Sequence, residues 1–244
     1  MQNRKKTSRF SQKILDLFKS IIDFIYPPIC IVCGKESDLQ PFLCKDCLDS
    51  IPLFDDTPDS IRYHEDHPAN SVKALYYFDE NLQKLIHQIK YRDAPYMAEF
   101  LGKVLGEHYK DHKIARSQAL IPVPLHSTRK RERTYNQSAC LARGIAKAWE
   151  VEICSKSLKR GRYTNTQTKL NKKERQENMR GAFVLKHEEK LPDRVCIIDD
   201  VFTTGATCME IARTLRGAGV KEINILCLAT PFHEEKTKKL RIKR

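Results

Sequence analysis

Apolar residues fall at 14, 15, 17, 18, 21, 22, 24 and 25, interrupted by Asp16, Lys19 and Asp23, and Pro27-Pro28 follows. That stripe predicts an amphipathic helix over 14–25 stopped by the prolines. Short apolar runs at 72–78, 119–123, 182–185, 194–198 and 223–229 predict strands. Between them, helical patterns run over 80–90, 95–110, 137–149 and 207–217, the second packed through Met97, Phe100, Leu101, Val104 and Leu105 and the last closed by Gly217 and Gly219. Strand and helix alternate. The fold class is therefore α/β: a mostly parallel sheet flanked by helices with right-handed crossovers, binding ligands beyond the carboxyl ends of its strands.

A different module precedes this domain. Cys30-Ile31-Val32-Cys33 and Cys44-Lys45-Asp46-Cys47 stand ten residues apart. Each CxxC turn aims two thiolates at one point, and two such turns complete a tetrahedral structural zinc site, so Cys30, Cys33, Cys44 and Cys47 are the expected ligands of a zinc-ribbon module. So small a module has too little core to fold without metal. A pair of redox dithiols is the alternative, but no thioredoxin-like strand and helix flank either motif. The organisation that follows is a basic tail and amphipathic helix over 1–25, a zinc ribbon over 26–52, a Pro- and Asp-rich linker over 53–70, the α/β domain over 71–232 and a basic tail over 233–244.

Charge narrows the partners. The 244 residues carry 44 Lys+Arg against 31 Asp+Glu, a formal net charge of +13. Residues 129–175 alone hold fourteen Lys or Arg and four Asp or Glu. Such an excess favours polyanions through counterion release, and RNA, DNA, an anionic membrane surface and a phosphorylated metabolite all stay open. No apolar run of about eighteen residues and no signal-peptide core occur, so a cytoplasmic protein is expected. The helix over 14–25 either packs on the body of the protein or, helped by the basic tail, touches the inner face of the membrane.

The candidate chemistry is concentrated in residues 195–207, where an apolar strand delivers Asp199 and Asp200 into a turn of Phe202, Thr203, Thr204, Gly205, Ala206 and Thr207 that opens a helix. A helix N-terminus binds anions through unpaired N–H groups, the threonines add hydroxyl donors, and Gly205 lets the backbone approach. The carboxylates repel that phosphate but accept from vicinal hydroxyls. A ribose 5-phosphate has both groups. The stretch resembles the PRPP-binding signature of type I phosphoribosyltransferases. That resemblance implies Asp199 and Asp200 on the ribose 2- and 3-hydroxyls as the catalytic pair, and Thr203, Thr204, Gly205, Ala206 and Thr207 on the 5-phosphate. Cys196 and Phe202 stand where the signature has aliphatic residues. After the strand at 119–123, Arg129, Lys130, Arg131 and Arg133 are expected to meet the pyrophosphate or a DNA backbone.

The two CxxC pairs, Pro122-Val123-Pro124-Leu125-His126, the run Arg131 to Gln137, Thr164 to Gln167 with Arg175, Asn178, Gly181, Ala182 and Phe183, the Asp199-to-Thr207 loop and Lys90-Tyr91 together resemble the ComF family, phosphoribosyltransferase-like proteins tied to natural transformation. The resemblance covers about residues 26–230. It implies a PRPP site in a protein that handles incoming single-stranded DNA on the cytoplasmic side, with competence helicase and uptake proteins as partners. Three functions stay open. One is a Mg²⁺-dependent phosphoribosyltransferase acting in DNA uptake, with Mg²⁺ bridging ribose hydroxyls and pyrophosphate and residues 161–175 closing over the site. A metabolic phosphoribosyltransferase for a nucleobase or amine is the second, although no general base or nucleobase hood is legible. The third is a non-catalytic single-stranded DNA module, with Tyr135 and Tyr163 for stacking. Of the other cysteines, Cys140, Cys154, Cys196 and Cys227 read as apolar fillers, and Cys208 as either filler or a thiol of lowered pKa at the helix start.

Overall fold

A computed structural model describes residues 27–55, 67–125, 134–160, 181–186 and 191–231. The amphipathic helix over 14–25, Arg129, Lys130, Arg131, Arg133, Tyr163, the segment 161–175 and the tail over 233–244 lie outside the described residues. The chain divides into two compact units at Ile51/Pro52.

The first unit is built from turns. The Cys30 carbonyl accepts from Gly34 N–H at 2.8 Å, where Gly34 takes φ 75°. Isolated antiparallel bridges join Ile29 to Glu36 and Gln40 to Leu43. A single helical turn and a half, α1 (Lys45–Asp49), starts from Cys44 and is capped from outside by Asp38, whose Oδ1 accepts Lys45 N–H at 2.9 Å. Phe42, Leu43 and Ile51 are its buried large side chains.

The second unit is the α/β domain, with strands β1 (Ser71–Tyr77), β2 (Ala119–Pro122), β3 (Glu152–Ile153), β4 (Leu158–Arg160), β5 (Phe183–Leu185), β6 (Arg194–Val201) and β7 (Glu222–Thr230). Its helices are α2 (Glu80–Tyr91), α3 (Pro95–His108), α4 (Gln137–Trp149) and α5 (Ala206–Gly217). Five strands pair in the order β1-β7-β6-β2-β3, every pair parallel. Both faces of this sheet are buried, which is why β6 and β7 read as continuous apolar runs. Val195, Ile197, Ile223, Ile225 and Cys227 pack with Cys208, Ile211, Ala212 and Leu215 of α5. The alternate positions Cys196, Ile198, Leu226 and Leu228 are also buried, on the side of α3 and α4.

Helix starts follow local chemistry. Asp79 caps α2 by accepting Leu82 N–H at 2.8 Å, Pro95 opens α3, and Asn136 caps α4 by accepting Ser138 N–H at 3.0 Å. Helices α3 and α4 meet backbone to backbone. A Cβ on Gly102 would stand 2.2 Å from the Leu141 carbonyl oxygen, and one on Gly144 would stand 2.0 Å from that of Glu99. Glu99 also holds Arg143 at 3.2 Å and Lys147 at 2.6 Å.

Four details differ from the sequence reading. The strand at 182–185 does not join the parallel sheet: β5 pairs antiparallel with β4 in a sheet of their own. Strands β3 and β4 are too short to show a period, and pass unseen in the sequence. The stretch read as a linker is packed at both its described ends, since Leu53 bridges Tyr76, and Phe54 and Ala69 are buried in the core. Finally β6 runs on through Val201, so both acids belong to the strand rather than to the turn after it. Among the described residues, no helix is long and apolar enough to cross a membrane.

Candidate functional site

Cys30, Cys33, Cys44 and Cys47 converge, all four ligand atoms within 4.8 Å of one another. Cys33 Sγ lies 3.8 Å from Cys44 Sγ. A tetrahedral zinc with Zn–S bonds of about 2.3 Å has sulfur–sulfur edges of about 3.8 Å, so the set fits the ion. Its first turn also prepares a thiolate. Burial works against ionisation at Cys30, but N–H donors of Cys44, Cys33 and Val32 outweigh it and bring that thiol down to about 6. Cys47 is pushed upward by burial and by its sister thiols, as expected of four sulfurs without a shared cation. Four ligands leave no open coordination position, so the metal's role is structural.

The second site lies at the carboxyl end of β6. Asp199 Oδ1 accepts Ser138 Oγ–H at 3.0 Å and the N–H of Asp200 at 2.9 Å, and Cys208 Sγ lies 3.8 Å from its Oδ2. Asp200 Oδ1 accepts Val201 N–H at 2.9 Å, and its Oδ2 lies 2.6 Å from Lys90 Nζ. Four elements thus meet at the acid pair: the end of β6, the last turn of α2 and the first turns of α4 and α5. The start of α4 is anchored by Asn136, whose Nδ2 donates to the Val123 carbonyl at 3.0 Å.

The two acids differ in charge state. Burial, and then the charge of Asp200, push Asp199 up to about 7. Burial alone would raise Asp200 too, but the Lys90 ammonium overrides it and holds this carboxyl below its ordinary value. Near neutral pH the pair therefore carries between one and two negative charges, of which the Lys90 ammonium balances one. Asp200 is only 8% exposed, and the Lys90 ammonium 2.6 Å from Oδ2 is the charge partner of that oxygen.

From β6 the chain turns through Phe202, whose N–H donates to the Ala229 carbonyl at 2.8 Å and whose own carbonyl accepts Thr230 Oγ–H at 3.1 Å. Thr203 is exposed and Thr204 and Thr207 are partly buried, while Gly205 and Ala206 are buried at the start of α5. Gly205, not Thr207, is the N-cap, at φ 70°. A Cβ there would sit 2.3 Å from the Phe202 ring, so the turn requires glycine both for its dihedral and for its space. The N-cap Gly205 has no side chain to offer, and Thr204 Oγ1 accepts the Ala206 N–H at 3.4 Å; the positive end of the α5 dipole lies at this turn, where an anion is favoured.

The structure thus gathers Asp199, Asp200 and the residues Thr203 to Thr207 at one strand end. It adds Lys90 and Ser138, which sequence reasoning did not assign to the site. For Lys90 the available signal was its place beside Tyr91 in the family-like pair; for Ser138 it was the position two residues after the α4 cap. Cys208 does not have an activated thiol: its contact with Cys227 and its burial raise it well above the ordinary value. Magnesium finds no seat at the pair itself. Each described carboxylate oxygen there faces an N–H, a hydroxyl, a thiol or the Lys90 ammonium, a donor set that suits a sugar hydroxyl and opposes a resident divalent cation.

No protein-family model matches the chain. Competence protein F of Haemophilus influenzae is 30% identical over 208 residues, spanning 83% of this chain and 84% of that protein. The DNA utilization protein YhgH of Salmonella typhi is 28% identical over 212 residues, covering 82% and 89% of the two chains. Competence protein ComFC of Streptococcus pneumoniae is 23% identical over 158 residues, covering 65% and 67%. With 30% identity sustained over more than four-fifths of both chains, and with a parallel α/β sheet and a four-cysteine cluster where the sequence placed them, the chain belongs to the competence protein F, or ComF, family.

Proposed function

We propose that this chain serves DNA uptake or DNA utilization and that it does so with a site for PRPP or another ribose 5-phosphate. One observation carries the ligand reading: a buried acid pair with the Lys90 ammonium against Asp200 stands beside a helix start whose N-cap is a glycine. The acids accept ribose hydroxyls, and the N–H groups of α5 with Thr203, Thr204 and Thr207 take the 5-phosphate. The role in DNA uptake rests on the names of the relatives, two of them competence proteins and one a DNA utilization protein.

The reading extends to glycosyl transfer. The bond from carbon 1 to the pyrophosphate oxygen breaks, an acceptor closes the new bond, and the acid pair holds the ribose against the positive charge that develops at carbon 1. Arg129, Lys130, Arg131 and Arg133 are the candidates to receive the pyrophosphate. Any magnesium arrives chelated by the substrate. A non-catalytic reading keeps the fold and uses the basic stretch as a track for single-stranded DNA, favoured by the concentration of positive charge in 129–175. Tyr135 is a weaker stacking candidate than its sequence suggested, because its hydroxyl is committed to the Ile89 carbonyl.

Isothermal titration with PRPP tests the site. Wild type is expected to show saturable binding and Asp200→Ala at least about tenfold weaker binding, the loss typical of a charge-assisted contact; absence of binding by wild type overturns the reading. Release of pyrophosphate on adding an acceptor separates transferase from binding module, and oligonucleotide affinity independent of salt would remove the electrostatic track.

A further inference from the structure

Lys90 stands in the last turn of α2, behind the buried stripe Leu82, Leu85, Ile86 and Ile89. Its side chain is 22% exposed, and its ammonium is 2.6 Å from an oxygen of Asp200. Such a pair is a poor stabiliser. Removing a lysine and a carboxylate from water costs more than their attraction reliably returns, and an apolar pair of the same volume would hold α2 against β6 at least as well. Its retention needs another explanation.

The surroundings supply one. The turn that carries Lys90 is tied to the segment leading into α4: Tyr135 donates its hydroxyl to the Ile89 carbonyl, and Thr134 donates to Asp93. Two residues further on, Asn136 caps α4 and Ser138 reaches Asp199. Lys90 and Ser138 are therefore set by one assembly, one on each acid. An ammonium has three donors. One faces Asp200 Oδ2, whose second lone pair takes no backbone N–H or hydroxyl among the described residues. A group with spare donors beside an acid with a spare acceptor is what a hydroxyl, donor and acceptor at once, needs on its two sides.

We propose that Lys90 is the cation of the ribose subsite: it holds Asp200 and offers its remaining N–H groups to the ribose hydroxyls, so that a ribose 5-phosphate is recognised through those hydroxyls without a divalent metal. The inference rests on the ribose-phosphate reading above and assigns its specificity. Because an unmet buried donor or acceptor is costly, a site of this kind penalises a sugar lacking a hydroxyl more than it rewards one that has it.

The test uses the full chain, ribose 5-phosphate and 2-deoxyribose 5-phosphate, each titrated in EDTA and in Mg²⁺, with a thermal melt of every variant. Wild type is expected to bind ribose 5-phosphate within about twofold in the two buffers and to prefer it over the deoxy sugar by at least about tenfold. Lys90→Met is expected to lose about ten- to a hundredfold toward ribose 5-phosphate, with the preference collapsing to about threefold or less, while the deoxy sugar is bound nearly as before. Should Lys90→Met fail to fold, Lys90→Arg keeps the charge but relocates the donors, and the same fall in the ratio is expected. Binding by wild type that requires Mg²⁺, or an unchanged ratio in either folded variant, overturns the assignment of Lys90 and leaves the ribose-phosphate site standing. No binding of either sugar by wild type overturns both.

Discussion

The four-cysteine cluster and the acid pair are both polar sites in buried settings, yet they bear on stability in opposite ways. Around Cys30, Cys33, Cys44 and Cys47 the described residues of the first unit bury only Phe42, Leu43 and Ile51 as large side chains. Its functional groups are its stabilisers, because metal binding and folding are one event in so small a core. In the second unit Asp199 and Asp200 sit at the end of a strand whose Val195, Cys196, Ile197 and Ile198 are each fully buried. There the apolar core pays for the acids, which oppose folding through desolvation and mutual repulsion. Polar convergence alone says nothing about stability. What decides it is whether a bound cation completes the group.

The largest effect that would break this contrast lies in the first unit. Cys44→Ser is expected to abolish binding of about one equivalent of zinc and with it a stabilisation on the order of 10 kcal/mol. Metal analysis reads the first, and hydrogen exchange, unprotected over 27–51 yet unchanged over the parallel sheet, reads the second. Protection persisting in 27–51 without metal would show that the small core suffices. Next in size, Gly144→Ala drives a Cβ to 2.0 Å from the Glu99 carbonyl, where neither helix backbone has room to yield. A loss of about 3 kcal/mol is expected by denaturant unfolding, at the upper end for overpacked cores.

The effect that depends on pH is the most diagnostic. In the unfolded chain Asp199 titrates near the ordinary aspartate value of about 3.9, whereas in the fold burial and Asp200 raise it to about 7. Between these values the folded state binds more protons, so stability falls as pH rises through this window. Asp199→Asn removes that dependence. Its melting temperature should exceed that of wild type by about ten degrees at pH 8 and match it at pH 4, while ribose 5-phosphate binding weakens. An equal shift at both pH values would show that Asp199 is not strained by ionisation.

The parallel strands were legible because burial on both faces leaves uninterrupted apolar runs, as in β6 and β7, and the helices because α2 and α4 carry clear stripes between well-marked caps. The two-residue β3 and three-residue β4 offer no period to read. Their placement, and that of β5 in a second sheet, is decided by tertiary pairing rather than propensity. The CxxC pairs needed no structure to be seen as a cluster, since their spacing encodes the turn. The partnership of Lys90 with Asp200 was invisible for the opposite reason: the residues are over a hundred positions apart, and a lysine in the last turn of a helix reads as ordinary complement to the helix dipole. Likewise the helical pattern was read from position 207, and only the positive φ of Gly205 shows where α5 begins.

The antiparallel pair β4–β5 has a consequence for how this family can vary. Arg160 and Phe183 stand opposite each other, and Gly181 just before β5 is tied to α5 by its N–H bond to Glu210 at 2.7 Å. The last described residue before position 161 and the first strand after it are thus held side by side. Loop-closure entropy grows only logarithmically with length, about 0.6 kcal/mol per doubling, so insertions or deletions between those posts leave the sheet nearly indifferent.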